Sequence, residues 1–327
     1  MSCPGCYKKG TDRFCPQCRQ KLFDGLKIPA VLPFDTPKDT NLPQYQEKTK
    51  RLSISGVQLK YSIRLEDGVL TLSDKNGAYI IKPIPPSRQI TMPEEAPENE
   101  HLTMQIAEQV FGIRTASNAL MHFKDGAPAY VTRRFDVIAS QGLRYQQEDF
   151  AQLSGKTKTT HGENYKYSGT CEDIGKLITK FIAAPVPALE EFYRLVVFNY
   201  IISNGDAHLK NFSVIRTPYG DYNLTPAYDL ICTIIHSEGE SDMALDLYEG
   251  DIKHPFYEKY GYHGTPHFEE LAKRIRILPR RANNIMQSLL SKKEKVLQMI
   301  NDSHLSDAAK TKYRGYYEDK LRRFHNL

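Results

Sequence analysis

The sequence predicts an α+β protein of two lobes, a small antiparallel β N-lobe and a mainly helical C-lobe, preceded by a small four-cysteine zinc knuckle. Apolar residues alternate from Val57 to Leu65, as in a half-buried strand. They recur every three or four positions from Leu189 to Ile201, as in an amphipathic helix. Four cysteines fall within the first 18 residues. We divide the chain into a zinc-ribbon-like unit (1–25), a proline-rich linker (26–50), an N-lobe (51–136) and a C-lobe (137–327).

The composition is that of a globular protein. Of the 327 residues, 40% are apolar and 25% are charged, and the net charge is +5. This mild positive charge permits an acidic partner such as ATP or nucleic acid without requiring one. No stretch approaches the roughly 18 apolar residues of a membrane helix, and the N-terminus lacks the apolar region of a secretory signal. We therefore expect a cytoplasmic protein with reduced thiols and no membrane association.

The N-terminal cysteines form two C-x2-C pairs separated by eight residues: Cys3, Cys6, Cys15 and Cys18. Each pair can turn two thiolates toward one metal ion, and two pairs complete the tetrahedral shell of a structural zinc site. Disulfides or idle thiols are the alternative, which a reducing compartment disfavours. Basic residues surround the cysteines, so the unit either contacts nucleic acid or an acidic protein, or packs on the main body, which is the simpler interpretation.

Three short strands predict the N-lobe. Turn residues Glu66 to Gly68 separate the first strand from a second at 69–72, and Asn76-Gly77 precedes a third at 78–82. The prolines of residues 27–45 predict extended, loosely structured chain before them. A small-residue loop, Ser53-Ile54-Ser55-Gly56, leads into the first strand, and such loops bring backbone N–H groups close to phosphate oxygens. An ordinary turn explains the same residues, so the loop alone does not identify a site.

Lys82 ends an apolar strand, where an ammonium group is costly unless it meets an anion. A strand lysine opposite a phosphate loop is the arrangement by which kinases hold the phosphates of ATP. Either Glu98 or Glu100, at the start of the next helix, can pair with this lysine. An acidic first turn favoured by the helix dipole explains both glutamates equally well.

The C-lobe is predicted from helices at about 171–183 and 188–203 and from basic helices at about 267–325. A polar, exposed loop is expected at 154–169, and hairpin strands are expected near 211–216 and 222–225. The segment PAYVTRRFDV (128–137) predicts a strand that runs into a hinge between the lobes. The basic C-terminal helices favour either a solvated face, which is the simpler interpretation, or docking to an acidic partner.

The stretch NGDAHLKN lies between an apolar helix that ends near Asn204-Gly205 and an apolar strand. Asp206 and Asn211 have the D-x4-N spacing by which protein-kinase-type phosphotransferases place a base and a Mg²⁺ ligand. Asp229 follows the next strand and can supply a second metal carboxylate. A capped turn and a capped helix are the alternatives for each aspartate alone. Lys82, Asp206, Asn211 and Asp229 in this order behind a Ser/Gly loop favour the catalytic interpretation.

The ordered motifs SISGVQLK, IIKP, ENEHLTMQIAEQVFGI, RRFD, NGDAHLKNFSV and LTPAYDL resemble those of the HipA-type serine/threonine kinases, the toxins of bacterial toxin–antitoxin modules. The resemblance covers roughly residues 50–300. It implies a bilobal, protein-kinase-like fold and Mg²⁺-ATP-dependent phosphorylation of a protein serine.

The resemblance also implies roles for individual residues. The catalytic set is Asp206 as the base, with His208 and Lys210. His208 either orients Asp206 through a hydrogen bond, which we favour, or simply packs. Asn211 and Asp229 are the implied Mg²⁺ ligands. The ATP-binding residues are Ser55, Gly56, Val57, Gln58, Lys60, Lys82, Glu100, Arg133 and Phe135, with Arg133 to Phe135 at the adenine. Autophosphorylation is implied at Ser53 or Ser55, where added negative charge beside the ATP phosphates inhibits.

The chain departs from the family pattern in two ways. About 50 residues precede the Ser/Gly loop, where full-length members have about a hundred more, so we expect the short, split form with a separate small N-subdomain-like protein. A DNA-binding antitoxin is the second expected partner, with DNA contacted only through it, and the family's usual target is an aminoacyl-tRNA synthetase. Arg133 stands where other members often have an acid, so adenine contacts there differ. A small-molecule kinase and a catalytically silent zinc-ribbon scaffold are the alternative functions.

Overall fold

A computed structural model of the chain describes residues 2–38, 59–74, 77–86, 90–138 and 143–325. Its β-strands form three antiparallel sheets. The largest has five strands in the order β2-β1-β3-β5-β4, a second has the order β10-β9-β8, and the third pairs β6 with β7. The strands are β1 Tyr61–Glu66, β2 Val69–Leu72, β3 Tyr79–Pro83, β4 Asn118–His122, β5 Pro128–Arg133, β6 Val137–Ile138, β7 Leu143–Arg144, β8 Gln147–Asp149, β9 Ser213–Arg216 and β10 Tyr222–Leu224.

Most helices follow the five-stranded sheet in the chain and form the second lobe. In chain order the α-helices of the described ranges are α1 Pro16–Phe23, α2 Ala96–Gln105, α3 Phe150–Leu153, α4 Lys158–His161, α5 Cys171–Phe181, α6 Pro185–Ile201, α7 Pro255–Tyr260, α8 Thr265–Arg274, α9 Pro279–Leu290, α10 Lys293–Asp302 and α11 Asp307–His325. None of the helices within the described ranges is both long and apolar enough to cross a membrane. The predicted α+β architecture of a small antiparallel lobe followed by a helical lobe is confirmed.

The described residues form two apolar cores. The larger lies among the helices of the second lobe and includes Phe192, Tyr200 and Tyr313, all almost fully buried. The smaller joins one face of the five-stranded sheet to the cysteine unit, with Phe23 packed against Tyr79 at 5.8 Å between ring centroids. The cysteine unit is therefore part of the N-lobe core, as the simpler interpretation of its basic surface expected.

The segment after the cysteines differs from its prediction as loosely structured chain. Ile28 and Leu32 are buried against the sheet. The backbone of Ala30 and Leu32 makes hydrogen bonds of 3.0 and 2.7 Å with His122 on β4. Because β4 is an edge strand of the sheet, these bonds cover backbone groups that would otherwise be unpaired. The proline content of this segment predicts its lack of regular secondary structure but not its packing against the sheet.

Two predictions about local structure need correction. The loop at 154–169 is exposed at most positions, as expected, but it contains the short helix α4 and a 3₁₀ turn at Tyr165–Tyr167, and Lys166 on that turn is only 15% exposed at its side chain. The helix before the NGDAHLKN stretch ends at Ile201 rather than near residue 203. The left-handed residue that follows the helix is Ser203, with φ of 56°, rather than a residue of the predicted C-cap pair Asn204-Gly205.

Candidate active site

The predicted catalytic, ATP-binding and Mg²⁺-binding residues in the described ranges converge on one cavity of about 540 Å³ between the five-stranded sheet and the helical lobe. Its walls come from β3, α2, the end of β5, the loop after α6 and the segment after β10. The predicted residues that line it are Lys60, Lys82, Glu100, Arg133, Phe135, Asp206, His208, Lys210, Asn211 and Asp229. Residues more than 160 positions apart in the sequence thus lie around one space.

Lys82 is the most buried cation of this cavity, with a side chain only 3% exposed. Strand β3 pairs with β1 and β5 on both sides, so the position of Lys82 on the sheet is fixed. Its ammonium group makes ion pairs with Glu100 of α2 and with Asp229. The predicted choice between Glu98 and Glu100 is therefore resolved in favour of Glu100. Glu98 instead accepts a hydrogen bond of 2.8 Å from the Tyr7 hydroxyl of the cysteine unit.

The two carboxylates keep Lys82 charged in this buried position. Burial by itself lowers the pKa of Lys82, but Asp229 and Glu100 outweigh it and leave the pKa above its usual value. Burial alone would raise the pKa of Asp229, but Lys60 and Lys82 have a larger effect and leave the pKa below its usual value. Asp229 is therefore ionised. A buried cation between two anions is the electrostatic arrangement needed to present a positive charge to phosphate without losing the proton.

Asp229 is held in an uncommon backbone conformation, with φ of 55°. This left-handed conformation costs a non-glycine residue roughly 1 kcal/mol or more, so the surrounding contacts have to maintain it. Its Oδ2 atom accepts a hydrogen bond of 2.9 Å from Lys60. The preceding Tyr228 donates its hydroxyl to the Lys210 carbonyl at 2.8 Å and so ties this segment to the loop after α6.

The loop after α6 presents Asp206 and Asn211 to the cavity. Gly205 closely approaches a neighbouring segment, because a Cβ at this position would lie 2.5 Å from the Ser241 carbonyl oxygen. The Asn211 side chain accepts the His208 N–H at 3.1 Å and closes a 3₁₀ turn over Leu209–Asn211. The five-residue separation of Asp206 and Asn211 therefore spans one compact turn, which directs both side chains into the same cavity.

Asp206 has a side chain that is 45% exposed and so is accessible from solvent. Its Oδ1 atom accepts a hydrogen bond of 2.5 Å from the Tyr167 hydroxyl. Burial and this hydrogen bond raise the pKa of Tyr167 above its usual value, so the hydroxyl keeps its proton and donates. His208 Nε2 lies 3.9 Å from the same oxygen, which is too far for a hydrogen bond. The contact to Asp206 that we expected of His208 is thus made by Tyr167.

Sequence reasoning missed Tyr167 and its neighbour Lys166, because both lie in the stretch expected to be an exposed loop. The signal was the pair of tyrosines, Tyr165 and Tyr167, in an otherwise polar segment. Tyr167 packs edge-on against the His208 ring with centroids 5.2 Å apart. His208 is buried, and burial lowers its pKa to about 4, so it packs as a neutral ring.

Lys210 and Arg133 both form ion pairs with carboxylates of the protein. Lys210 donates to Asp149 at 3.0 Å, and this aspartate also caps helix α3. The Arg133 guanidinium makes two hydrogen bonds of 2.8 Å to Asp24 of the cysteine unit. The charge of Arg133 is therefore engaged with the cysteine unit. The neighbouring Phe135 provides the apolar surface on this side of the cavity, and its ring lies 5.8 Å from that of Tyr228 between centroids.

Asn211 and Asp229 fit the oxygen-ligand chemistry of Mg²⁺. The Asn211 amide nitrogen lies 3.5 Å from Asp229 Oδ2, so the two side chains are adjacent. The Asn211 oxygen keeps a second lone pair after accepting from His208. Carboxylate and amide oxygens are suitable ligands, and nucleotide phosphates and water supply the remainder around this ion.

The four predicted metal-ligating cysteines also converge. Their sulfur atoms all lie within 4.8 Å of one another, and those of Cys6 and Cys15 are 3.8 Å apart. A tetrahedron with zinc–sulfur bonds of about 2.3 Å has edges of about 3.8 Å, so the cluster can hold one metal ion with zinc geometry. Cys3 and Cys18 are buried in the N-lobe core. The site has four protein ligands and leaves no open position for catalysis.

Five predicted residues lie outside the described ranges. They are Ser53, Ser55, Gly56, Val57 and Gln58. Lys60 lies in the described part of that segment, which begins at Leu59, and contacts Asp229.

Comparison with known proteins places this chain among kinase-related sequences. The family model of the HipA-like C-terminal domain matches residues 52–297. A Haemophilus influenzae protein named "Putative kinase" is 28% identical over 279 residues, 79% of this chain and 78% of that protein. The serine/threonine-protein kinase toxin HipA of Shewanella oneidensis is 29% identical over 162 residues, which are 46% of this chain and only 37% of the toxin.

Solved structures show the same fold. HipA of Shewanella oneidensis, solved with HipB and operator DNA, superposes with a TM-score of 0.64 at 20% identity, covering 91% of this chain and 74% of that one. The Helicobacter pylori proinflammatory kinase CtkA gives a TM-score of 0.52 at 13% identity, covering 84% of this chain and 95% of that one. The protein-kinase-like bilobal fold that the sequence predicts is confirmed.

Proposed function

Because this chain belongs to the family of the HipA-like C-terminal domain, we propose that it is an ATP- and Mg²⁺-dependent protein serine/threonine kinase. The observation that carries the proposal is the convergence of five polar side chains on one cavity: Lys82, Glu100, Asp206, Asn211 and Asp229. Each has an ordinary structural explanation when taken alone. Together they are the positioning and charge-stabilising groups that phosphoryl transfer requires.

The proposed roles follow from the contacts of each residue. Glu100 holds Lys82 in position, and Lys82 faces the α- and β-phosphates of ATP. Asp206, exposed at the edge of the cavity, accepts the proton of the acceptor hydroxyl. Asn211 and Asp229 would hold Mg²⁺, which supplies positive charge to the phosphates. Phe135 provides an apolar contact for the adenine ring.

Incubation of the full chain with [γ-³²P]ATP and Mg²⁺ tests the proposal. The wild type is expected to transfer label to protein, and Asp206→Ala to lower the rate by at least about 100-fold, because a general base contributes this much. Asp221→Ala, an exposed aspartate of the β9–β10 hairpin, is the matched control and is expected to be active. ATP binding without transfer would favour the silent scaffold. Label that appears only on added small molecules would favour a small-molecule kinase.

The same experiment tests autophosphorylation at Ser53 or Ser55. Mass spectrometry of the labelled chain should find phosphate on one of these serines in the wild type and on neither in Asp206→Ala. From the resemblance to the HipA-type kinases we expect phosphate on either serine to inhibit the enzyme through its added negative charge. Label confined to other residues would contradict this part of the proposal.

The proposal extends to a toxin of a toxin–antitoxin module with an aminoacyl-tRNA synthetase as its target. It is supported by the likeness to HipA, which was solved together with HipB and operator DNA. The expected partner is a DNA-binding antitoxin that makes the DNA contacts. The proposed metal of the four-cysteine cluster is Zn²⁺, supported by the sulfur spacing.

A further inference from the structure

A lysine and a tyrosine that neither the kinase motifs nor the sequence prediction includes lie directly against Asp206. They are Lys166 and Tyr167, consecutive residues on the 3₁₀ turn at Tyr165–Tyr167. The turn is fixed against the rest of the lobe, because Lys156 donates to the Ser168 carbonyl and Thr170 begins α5 with a capping box. An arrangement held in this way positions its side chains reproducibly.

Three groups approach the same oxygen of Asp206. The Tyr167 hydroxyl donates to Oδ1 at 2.5 Å, His208 Nε2 lies at 3.9 Å and Lys166 Nζ lies at 4.0 Å. Among the described residues no donor contacts Oδ2. The carboxylate therefore has one oxygen engaged with the protein and one available to accept a proton from a substrate.

Lys166, which lies beside Asp206, differs in its partners from the lysines that line the cavity. Lys60 pairs with Asp229 at 2.9 Å and Lys210 pairs with Asp149 at 3.0 Å. Within the described chain the Lys166 ammonium makes no hydrogen bond, and its nearest carboxylate oxygen is that of Asp206, at 4.0 Å. It lies 4.7 Å above the Tyr167 ring with a side chain that is only 15% exposed.

The surroundings of Lys166 favour an anion as the missing partner. Burial lowers its pKa, and Lys60 and Lys210 lower it further, while Asp206 acts in the opposite direction. The Lys60 and Lys210 ammonium groups thus repel that of Lys166, whose nearest carboxylate is the proposed base, Asp206. A phosphoryl group between them would relieve the repulsion and complete the hydrogen bonding of Lys166.

We propose that Lys166 and Tyr167 complete the phosphoryl-transfer site. Lys166 contacts the transferred phosphoryl group, and Tyr167 positions Asp206. In the transfer, the acceptor oxygen forms its bond to the γ-phosphorus while the bond to the β–γ bridging oxygen breaks. The hydroxyl proton passes to Oδ2 of Asp206, and ADP leaves. Such a step requires the acceptor oxygen and the γ-phosphorus to lie within about 3–3.5 Å of each other. This inference rests on the proposed kinase function.

The test compares Lys166→Met, Lys166→Arg and Tyr167→Phe with two matched controls from exposed positions, Lys158→Met and Tyr219→Phe. Transfer from [γ-³²P]ATP should fall on the order of 100-fold in Lys166→Met, because a charge contact made in the transition state is lost. Lys166→Arg should recover at least about a tenth of the wild-type rate. Tyr167→Phe should lower kcat while KM for ATP stays within about threefold.

Binding of ADP with and without aluminium fluoride supplies a readout that does not depend on turnover. Lys166→Met should bind ADP as the wild type does and lose at least about tenfold in affinity for the ADP–aluminium fluoride complex, which mimics the transferred phosphoryl group. Equal transfer by wild type and Lys166→Met would overturn this inference alone. No transfer by the wild type would overturn the kinase function as well. Thermal melting of each variant identifies any that fails to fold. If Lys166→Met fails to fold, the transfer rate of Lys166→Arg relative to the wild type decides the outcome.

Discussion

Glu98 and Glu100 are two residues apart on α2 and have different partners. Glu100 pairs with Lys82 in the proposed active site, whereas Glu98 accepts hydrogen bonds from the Tyr7 hydroxyl and the His304 backbone N–H. Glu98 Oε2 is buried without a hydrogen-bond partner. Burial raises the pKa of Glu98 to about 7, and the two hydrogen bonds only partly offset it. This carboxyl is therefore most stable in its protonated form.

The pKa of Glu98 predicts a stability that falls as pH rises. Because the folded-state pKa of about 7 is above the unfolded value of 4.5, the native state binds more protons between these pH values. Stability is therefore lost as pH rises from about 4.5 to 7. Glu98→Gln should remove this dependence and be more stable than the wild type at pH 8, by up to about 3 kcal/mol. Urea unfolding at pH 5 and pH 8 measures the difference.

Glu94→Gln, at an exposed position one turn earlier, is the control for the change of charge. Glu95 and Lys310 also act on Glu98, with opposite signs, and both remain in every variant. A Glu98→Gln variant whose stability changes with pH as the wild type does would show that Glu98 is ionised without cost. The charge of His304 is common to both proteins and cancels in the comparison.

At the residue scale the sequence predicted which groups would meet but not all of their partners. Lys82, Asp206, Asn211 and Asp229 lie around one cavity as their spacing and order indicated. The pairing of Lys82 could not be assigned from sequence, because both glutamates suit the first turns of a helix. Tyr167 was missed because no local rule connects it to a residue 39 positions away, and only the tertiary fold brings their side chains together.

At the element scale, the end of α6 determines where the catalytic loop begins. The apolar periodicity predicted this helix well, and the structure begins it earlier, at Pro185, because proline is favourable at the first helical position. The predicted role of Gly205 in ending the helix is wrong, since Ser203 has the left-handed backbone. Gly205 is instead required by packing, because the backbone of Ser241 occupies the space where a side chain would begin.

Gly205→Ala is expected to displace the loop that carries Asp206. A Cβ at this position would lie 2.5 Å from the Ser241 oxygen and 2.8 Å from the Glu240 carboxyl carbon, so backbone has to move. Overpacking of this kind costs about 1–3 kcal/mol. We therefore expect a lower unfolding midpoint and a loss of phosphoryl transfer of at least about tenfold, because misplaced catalytic groups react slowly.

Gly315→Ala supplies the matched control for Gly205→Ala. Gly315 lies within helix α11, and nothing is within 4 Å of a Cβ built there. Alanine is favoured over glycine in a helix by up to about 1 kcal/mol, so this variant should be slightly more stable and equally active. Equal activity of Gly205→Ala and Gly315→Ala would show that the loop tolerates the displacement.

At the scale of the whole molecule, the cysteine unit joins elements that are distant in sequence. Leu120 of the edge strand β4 donates its backbone N–H to the Pro4 carbonyl at 3.0 Å. Arg133 at the end of β5 pairs with Asp24, and Tyr7 reaches Glu98 on the helix that also carries Glu100. The cysteine spacing predicted the convergence of the sulfurs, since that geometry is local. These docking contacts could not be predicted, because they depend on complementary surfaces that only the folded chain presents.

Removal of the metal from the cysteine cluster should therefore destabilise the N-lobe and not only the first 25 residues. Cys6→Ser removes one of four thiolates, and we expect zinc, measured by mass spectrometry of the metal, to fall from one per chain to well below one. Metal binding supplies much of the folding free energy of such small units, and the unit shares its core with the sheet. The unfolding midpoint should fall by at least about 5 °C, and amide exchange should accelerate at residues 96–105 and 128–133.

Cys171→Ala, in α5 and remote from the cluster, should keep its zinc. A metal-free Cys6→Ser protein with the wild-type melting temperature and exchange rates would show that the unit packs on the sheet without its metal.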